Sequence, residues 1–163
     1  MRPSAVRTAS LPPGSLLERY QQNGAFTDCR STELRSSVTL SEFITAFYSS
    51  TAFRPERWLL GILLGRGATA ADVASLASAH TESFAAWSVE ARLADQILLC
   101  DYQGRTRSWL MVERIEQGTR LYFGSAVITG RSGTGSIVFR ALLGFHRVYS
   151  HVLLGSAVKA LMR

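Results

Sequence analysis

Residues 84–128 read FAAWSVEARLADQILLCDYQGRTRSWLMVERIEQGTRLYFGSAVI. Apolar residues recur here with a period of two, the spacing of strands whose side chains alternate between two faces. The pattern predicts four strands, over 84–93, 96–102, 106–115 and 119–128. Between them lie Ala94-Asp95, Gln103-Gly104 and Gln117-Gly118. An X-Gly pair between alternating runs is a hairpin signal, so the four strands form an antiparallel meander. With two-residue turns, the register places Trp87, Val89, Ala91, Leu98, Cys100, Trp109, Met111, Tyr122, Gly124, Ala126 and Ile128 on one face. The other face carries Glu90, Arg92, Asp101 and Arg114 among Ile97, Leu99, Leu110, Val112, Leu121, Phe123 and Val127. Neither face is polar enough to stand in water, so each needs a cover. A one-residue slip in any turn would exchange the two sets downstream of it.

Downstream, Ile137 to Met162 places apolar residues at 138, 142, 145, 149, 152, 153, 157 and 161. That is the recurrence of a helix with one buried side, and at about 1.5 Å per residue it would span about 40 Å. Arg140, Gly144, Arg147, His151 and Gly155 fall on its opposite side. This helix is expected to lie on the face that bears Trp87 and Trp109. Upstream, residues 28–38 predict a strand. Thr39-Leu40-Ser41-Glu42 is a capping box, with Val38 and Phe43 at the staple positions, and opens a helix to about residue 50. Pro55 suits the first turn of a second helix, rich in leucine and ended by Gly65 and Gly67. Thr69 to Asp72 opens a third, to about residue 79. These early helices, or a second copy of the chain in a homodimer, are expected to cover the other sheet face. Segregated helices and antiparallel strands make the fold class α+β: a meander sheet gripped by a long C-terminal helix. Residues 1–27, with Leu11-Pro12-Pro13-Gly14, are expected to form a loose N-terminal arm, and 28–163 a single domain.

A chain of 163 residues with 47% hydrophobic content can bury a core, which excludes a disordered protein. No apolar run reaches membrane-span length, and residues 1–20 lack the apolar centre of a secretory signal, so a cytoplasmic location is expected by elimination. Cys29 and Cys100 are expected to be free thiols. The net charge of +6 lies wholly in residues 117–163, which hold Arg120, Arg131, Arg140, Arg147, Lys159 and Arg163 and no acid. Such a stripe suits either a solvated helix face or an anionic partner, including peripheral contact with a membrane surface.

Four short stretches carry a resemblance. They are Phe84-Ala85-Ala86-Trp87, Arg105 to Leu110, Phe123-Gly124-Ser125, and Phe139-Arg140 with His146 and Tyr149-Ser150. On these the chain resembles the helix-grip class, which includes START-type lipid-transfer domains, birch-pollen-allergen-like proteins and polyketide cyclases, and within it an uncharacterised bacterial family. The resemblance covers roughly residues 28–162. It implies a cavity between sheet and final helix that holds a small apolar or amphipathic ligand. The lining residues would be Trp87, Trp109, Met111, Tyr122, Phe145, His146 and Tyr149, although aromatics at these spacings also fit a filled core. The class usually has more strands than the five drawn here.

No motif adds a reaction to that picture. Gly130 to Ser136 contains G-x-x-x-x-G but has Ser136 where a phosphate-binding loop needs lysine, and no parallel βαβ unit surrounds it. Arg131, Arg140 and Arg147 are left as candidate anion contacts. His146 and Tyr149 lie one turn apart, yet the final helix offers no carboxylate to orient an acid–base histidine. Glu90 and Arg92 share a strand face and are expected to pair with Arg114 or Asp101. There is no Ser-His-Asp or Cys-His arrangement and no metal-ligand spacing. The basic stripe has no exposed aromatics beside it, which argues against nucleic acid. The expectation is a binder with no cofactor, no metal and no catalytic residue. The alternatives are a cyclase- or hydratase-like enzyme on the same scaffold, or a membrane-surface or subunit-contact module.

Overall fold

The computed structural model describes residues 4–50, 69–84, 87–128 and 137–163, with side chains in the last segment from Tyr149 onward. In chain order the elements are β1 (Arg7–Thr8), α1 (Glu18–Gln22), β2 (Phe26–Leu34), α2 (Leu40–Tyr48), α3 (Ala70–Ala77), β3 (Ser83–Phe84), β4 (Trp87–Arg92), β5 (Gln96–Asp101), β6 (Thr106–Ile115), β7 (Gly118–Val127) and α4 (Ile137–Leu161). The strands form one open antiparallel sheet in the order β1-β2-β7-β6-β5-β4-β3. The fold is α+β, with a seven-stranded sheet and a C-terminal helix. The predicted helix over 55–64 lies outside the described residues.

The meander from β5 to β7 follows the alternation, but the β6–β7 turn is Glu116-Gln117, one residue before the predicted pair, and Gln103-Gly104 lies within a four-residue connection between β5 and β6. Gly104 (φ +68°) and Gly118 (φ +146°) have backbones that side chains resist. Gly118 has a second reason to be glycine. A Cβ there would stand 1.9 Å from the Leu34 carbonyl oxygen. Two strands were not expected. β1 adds to the outer edge of β2, pairing Arg7 with Ser31 and Thr8 with Arg30, and β3 adds to β4.

The expected capping box at Thr39 forms, and a second is present at Thr69. Thr39 Oγ1 accepts from the Glu42 N–H at 3.2 Å while Glu42 accepts from the Thr39 N–H at 2.8 Å. Thr69 and Asp72 repeat the arrangement at the start of α3. The caps direct α2 so that Phe43, Ile44, Phe47 and Tyr48 face the sheet, each 1% exposed or less. At about 1.5–3 kcal/mol per large side chain, their burial outweighs the cap energies and sets where α2 lies. Phe47 packs on Phe123 of β7 with ring centroids 4.7 Å apart, and Tyr48 on Phe84 at 5.2 Å.

The faces of the sheet are occupied differently from the expectation. Helices α2, α3 and α4 all lie on the face of Ile97, Leu99, Leu110, Leu121 and Phe123, where Leu153, Leu154, Ala157 and Val158 complete the core. The face of Leu98, Trp109, Tyr122 and Ala126 is covered instead by the N-terminal segment, with Leu17 at its centre. So the final helix does not lie over Trp109. The physical reason is width. The first face is apolar over most of its breadth, and helices α2, α3 and α4 pack on it. The second has a narrow apolar centre flanked by Gln96, Arg107, Glu113, Arg120 and Glu33, which suits a thin amphipathic strap.

Residues 4–25 are therefore part of the fold and not a loose arm. Leu17 is fully buried against Gly124, where an added Cβ would come within 2.8 Å of both Leu17 and Trp109. The Gln96 side chain anchors the strap from below. Its Oε1 accepts from the Leu16 N–H at 2.9 Å and from Trp109 Nε1–H at 3.0 Å, and its Nε2 donates to the Gly14 carbonyl at 3.3 Å. At the end of α1, Glu90 accepts from the Tyr20 hydroxyl, Arg19 and Arg107. The Arg19 and Arg107 guanidinium groups also lie 5.1 and 4.8 Å from the centre of the Tyr20 ring.

Glu90 reaches this partner set because β4 is bulged between Val89 and Ala91. The bulge inserts one residue, so the alternation changes phase. Ala91 packs with the Trp109 side, whereas Trp87 and Val89 pack with the helix side. The expected pairing of Glu90 and Arg92 with Arg114 or Asp101 is replaced accordingly. Arg92 donates to the Leu76 carbonyl at 2.5 Å, near the C-terminus of α3, where a cation is favoured. Asp101 instead accepts from the Arg105 and Thr106 N–H groups at 2.7 and 3.0 Å, closing its own turn.

Candidate functional site

Of the seven residues expected to line one cavity, the five whose side chains are described fall on two different faces of the sheet. Trp109, Met111 and Tyr122 lie under the N-terminal strap, while Trp87 and Tyr149 pack against the helix-side core. The side chains of Phe145 and His146 lie outside the described residues, as do Arg131 and the side chains of Arg140 and Arg147. Trp109 is fully buried and its N–H is taken by Gln96, so it is a structural residue of the strap interface. Tyr122 donates to Glu113 at 2.8 Å. Glu113 also binds Arg120, which reaches Glu33 at 2.7 Å. Arg120, one of the six cations at the basic end of the sequence, is thus already neutralised by two carboxylates.

A different group of polar residues lies on the helix side. The register aligns Asp28 of β2 with Ser125 of β7, and Ser125 with Ser108 of β6. Directly opposed side chains on adjacent antiparallel strands have Cβ atoms about 4.5–5.5 Å apart. The three therefore form a continuous polar row across the middle of the sheet. All are buried: Asp28 and Ser108 are 8% exposed and Ser125 is 4% exposed. The next row along the sheet is Ile97, Leu110 and Phe123, fully apolar until Arg30 at its β2 end. From α2, the Tyr48 hydroxyl lies 3.1 Å from Ser108 Oγ. From α4, Ser150 is 1% exposed and Tyr149 packs on the same core.

Hydrogen bonding along this row is incomplete at one end. Asp28 Oδ2 is buried and makes no hydrogen bond among the described residues. Among the described residues, the cation beside it is Arg30, two residues along the same strand, whose Nε lies 3.7 Å away. That distance balances charge but is too long for a hydrogen bond. Trp87 Nε1 and Ser50 Oγ, also buried, likewise have no hydrogen-bond partner among the described residues. Uncompensated polar atoms of this kind cost about 1–3 kcal/mol each and are uncommon.

Several features bear on what this arrangement can do. Among the described residues, no three His, Cys, Asp or Glu side chains cluster closely enough to hold a metal ion, and no helix is long and apolar enough to cross a membrane. Cys29 and Cys100 are free. Burial, with the neighbouring Asp28 charge, pushes the Cys29 thiol up to about 12, so it is not a nucleophile at neutral pH. Two grooves open elsewhere. One of about 390 Å³ lies beside β1 between Arg7, Glu33 and Arg120, and one of about 420 Å³ lies at the start of α2 beside Val112 and Arg114.

Composition and alternation alone could not identify the polar row. Its members lie on three strands and become neighbours only once the register is known. The usable signal was that Asp28, Ser108 and Ser125 each occupy a helix-side position in strands whose flanking helix-side residues include Leu110 and Phe123. No protein-family model, curated protein or solved structure matches the chain.

Proposed function

We propose that the protein is a non-enzymatic binder of a small amphipathic ligand, held between the helix side of the sheet and α4 in a helix-grip-like arrangement. The polar row of Asp28, Ser125 and Ser108, with the Tyr48 hydroxyl, would take the ligand's polar end. Phe123, Leu110 and Ile97 would take its apolar part. The observation that carries this reading is the polar row itself. A core whose only task is stability gains nothing from three adjacent polar side chains, because apolar residues of similar shape would fill the space at no cost in desolvation. A ligand that must be oriented as well as buried does need them.

Native mass spectrometry of the purified protein tests the proposal. The expected result is a population heavier than the chain by the mass of a small molecule, lost after extraction with organic solvent. Bare protein, together with no displacement of an apolar fluorophore by any amphipath, would end this reading.

A further inference from the structure

We infer that Asn23 is a site of spontaneous deamidation, and that the modified residue releases the N-terminal strap. The chain has one asparagine, and a glycine follows it, in the turn between α1 and β2. The side-chain amide carbon of an asparagine can be attacked by the main-chain nitrogen of the next residue. Glycine, having no Cβ, hinders that approach least. Asn23 and Gly24 are both exposed, so water reaches them. Gly24 has φ +79°, and an added Cβ there would meet nothing within 4 Å. The reaction closes a five-membered imide ring. The bond from Gly24 N to Asn23 Cγ forms, the bond from Cγ to the side-chain nitrogen breaks, and ammonia leaves with the Gly24 proton. Water then opens the ring at one carbonyl or the other. The products are aspartate and isoaspartate, and in isoaspartate the main chain runs through Cβ and Cγ and is one atom longer.

Main-chain hydrogen bonds hold this turn shut. The Asn23 N–H donates to the Arg19 carbonyl at 3.1 Å, the Gly24 N–H to that of Gln21 at 3.0 Å, and the Ala25 N–H to that of Tyr20 at 2.9 Å. The proton that Gly24 must lose lies in the bond to Gln21, so attack waits for the turn to open. Opening a short exposed segment costs far less than global unfolding. The product then hinders reclosure. With an extra main-chain atom between the nitrogens of residues 23 and 24, the bonds to Arg19 and Tyr20 cannot both keep their present spacing. Those carbonyls belong to the two residues of α1 whose side chains grip Glu90. A transient opening of the strap thereby becomes a lasting one.

Protein carrying Cys100→Ser, kept at pH 8 and 37 °C and sampled over weeks, tests this, with Asn23→Ser in the same background as control. Each protein is compared with its own fresh sample, so any cost of the substitution cancels. The tryptic peptide 20–30 should split into two products, each heavier by the difference between an amide and an acid, and that of the control should not change. Cys29 is buried and packs with Leu17 under the strap. It should react with a disulfide reagent roughly fivefold faster or more in the aged protein, the effect of losing about one hydrogen bond from the closed strap. The control should label at its fresh rate. If peptide 20–30 stays unmodified in the folded protein while the chain unfolded in guanidinium converts, the site is overturned. If the peptide converts and Cys29 labels no faster, or the aged control speeds up equally, the release of the strap is overturned.

Discussion

Gly124 shows at the scale of one residue how the strap and the sheet depend on each other. It sits directly opposite Trp109 on β6 and Cys29 on β2. Its missing side chain is the space into which Leu17 and the Trp109 ring fit. Alanine would place a Cβ 2.8 Å from Leu17 Cδ2, 2.8 Å from Trp109 Cε3 and 3.1 Å from the Asp28 carbonyl oxygen. Leu17 can rotate, but the indole is held by Gln96 and the carbonyl is backbone, so the clash cannot be relieved at all three. Gly124→Ala is expected to destabilise the protein by about 1–3 kcal/mol, the usual range for overpacking. Urea unfolding followed by tryptophan fluorescence would read this as a lower midpoint. An unchanged midpoint would mean that the strap does not hold Leu17 in this niche.

The elements explain what was legible before any coordinates and what was not. Turn chemistry and caps are local, so Gly104 and Gly118, Thr39 with Glu42, and Thr69 with Asp72 each announce an element boundary within four residues. The four meander strands were readable to within a few residues for that reason. The bulge in β4 was not. Nothing in Trp87-Ser88-Val89-Glu90-Ala91-Arg92 distinguishes an extra residue from continued alternation. The unbroken pattern therefore put Trp87 and Val89 with Trp109, when they belong with Leu99 and Phe84. The choice of face for α4 failed for a different reason. It depends on how the apolar width of each face compares with the width of its cover, a property of seven strands at once. The site suffers both limits, since Asp28, Ser125 and Ser108 are neighbours only through long-range register. The bulge is testable. Deleting Ala91 would restore simple alternation and place Glu90 opposite Leu98, while Trp87, Val89 and Arg92 keep their faces. Glu90 would shift along the strand away from its present hold on Tyr20, Arg19 and Arg107, so a loss of about 1–3 kcal/mol is expected, read as a lower midpoint in guanidinium. A deletion variant with wild-type stability would show that the bulge is not what sets Glu90 against the strap.

For the whole molecule, the distribution of charge and apolar surface makes the protein a sheet with two unlike covers. Among the described residues, helices α2, α3 and α4 close one side through broad apolar contact. A strap of about twenty residues closes the other through one leucine, one glutamine fork and the Glu90 cluster. The strap is the smaller cover, and its hold is partly ionic. Burial works against the Glu90 carboxylate, but the Tyr20 hydroxyl, Arg107 and Arg19 outweigh it and hold its pKa below the ordinary value of 4.5. A depressed pKa stabilises the folded state above that ordinary value, and the contribution disappears as the pH falls through the lower folded value. In a Cys100→Ser background, Cys29 beneath the strap becomes the only thiol. With its pKa at about 12 and its side chain buried, Cys29 should react with a disulfide reagent at pH 8 only when the strap lifts. Adding Glu90→Gln removes the charge that holds Tyr20, Arg19 and Arg107 together. The expected cost is about 1–3 kcal/mol in the opening equilibrium, which is a roughly five- to 150-fold faster labelling of Cys29. The stability gap between the two proteins should be full at pH 6 and shrink below about pH 4.5, where Glu90 protonates in the parent. Equal labelling rates, or a gap that persists unchanged at pH 2, would mean that Leu17 and Gln96 alone secure the strap and that the Glu90 cluster merely accompanies it.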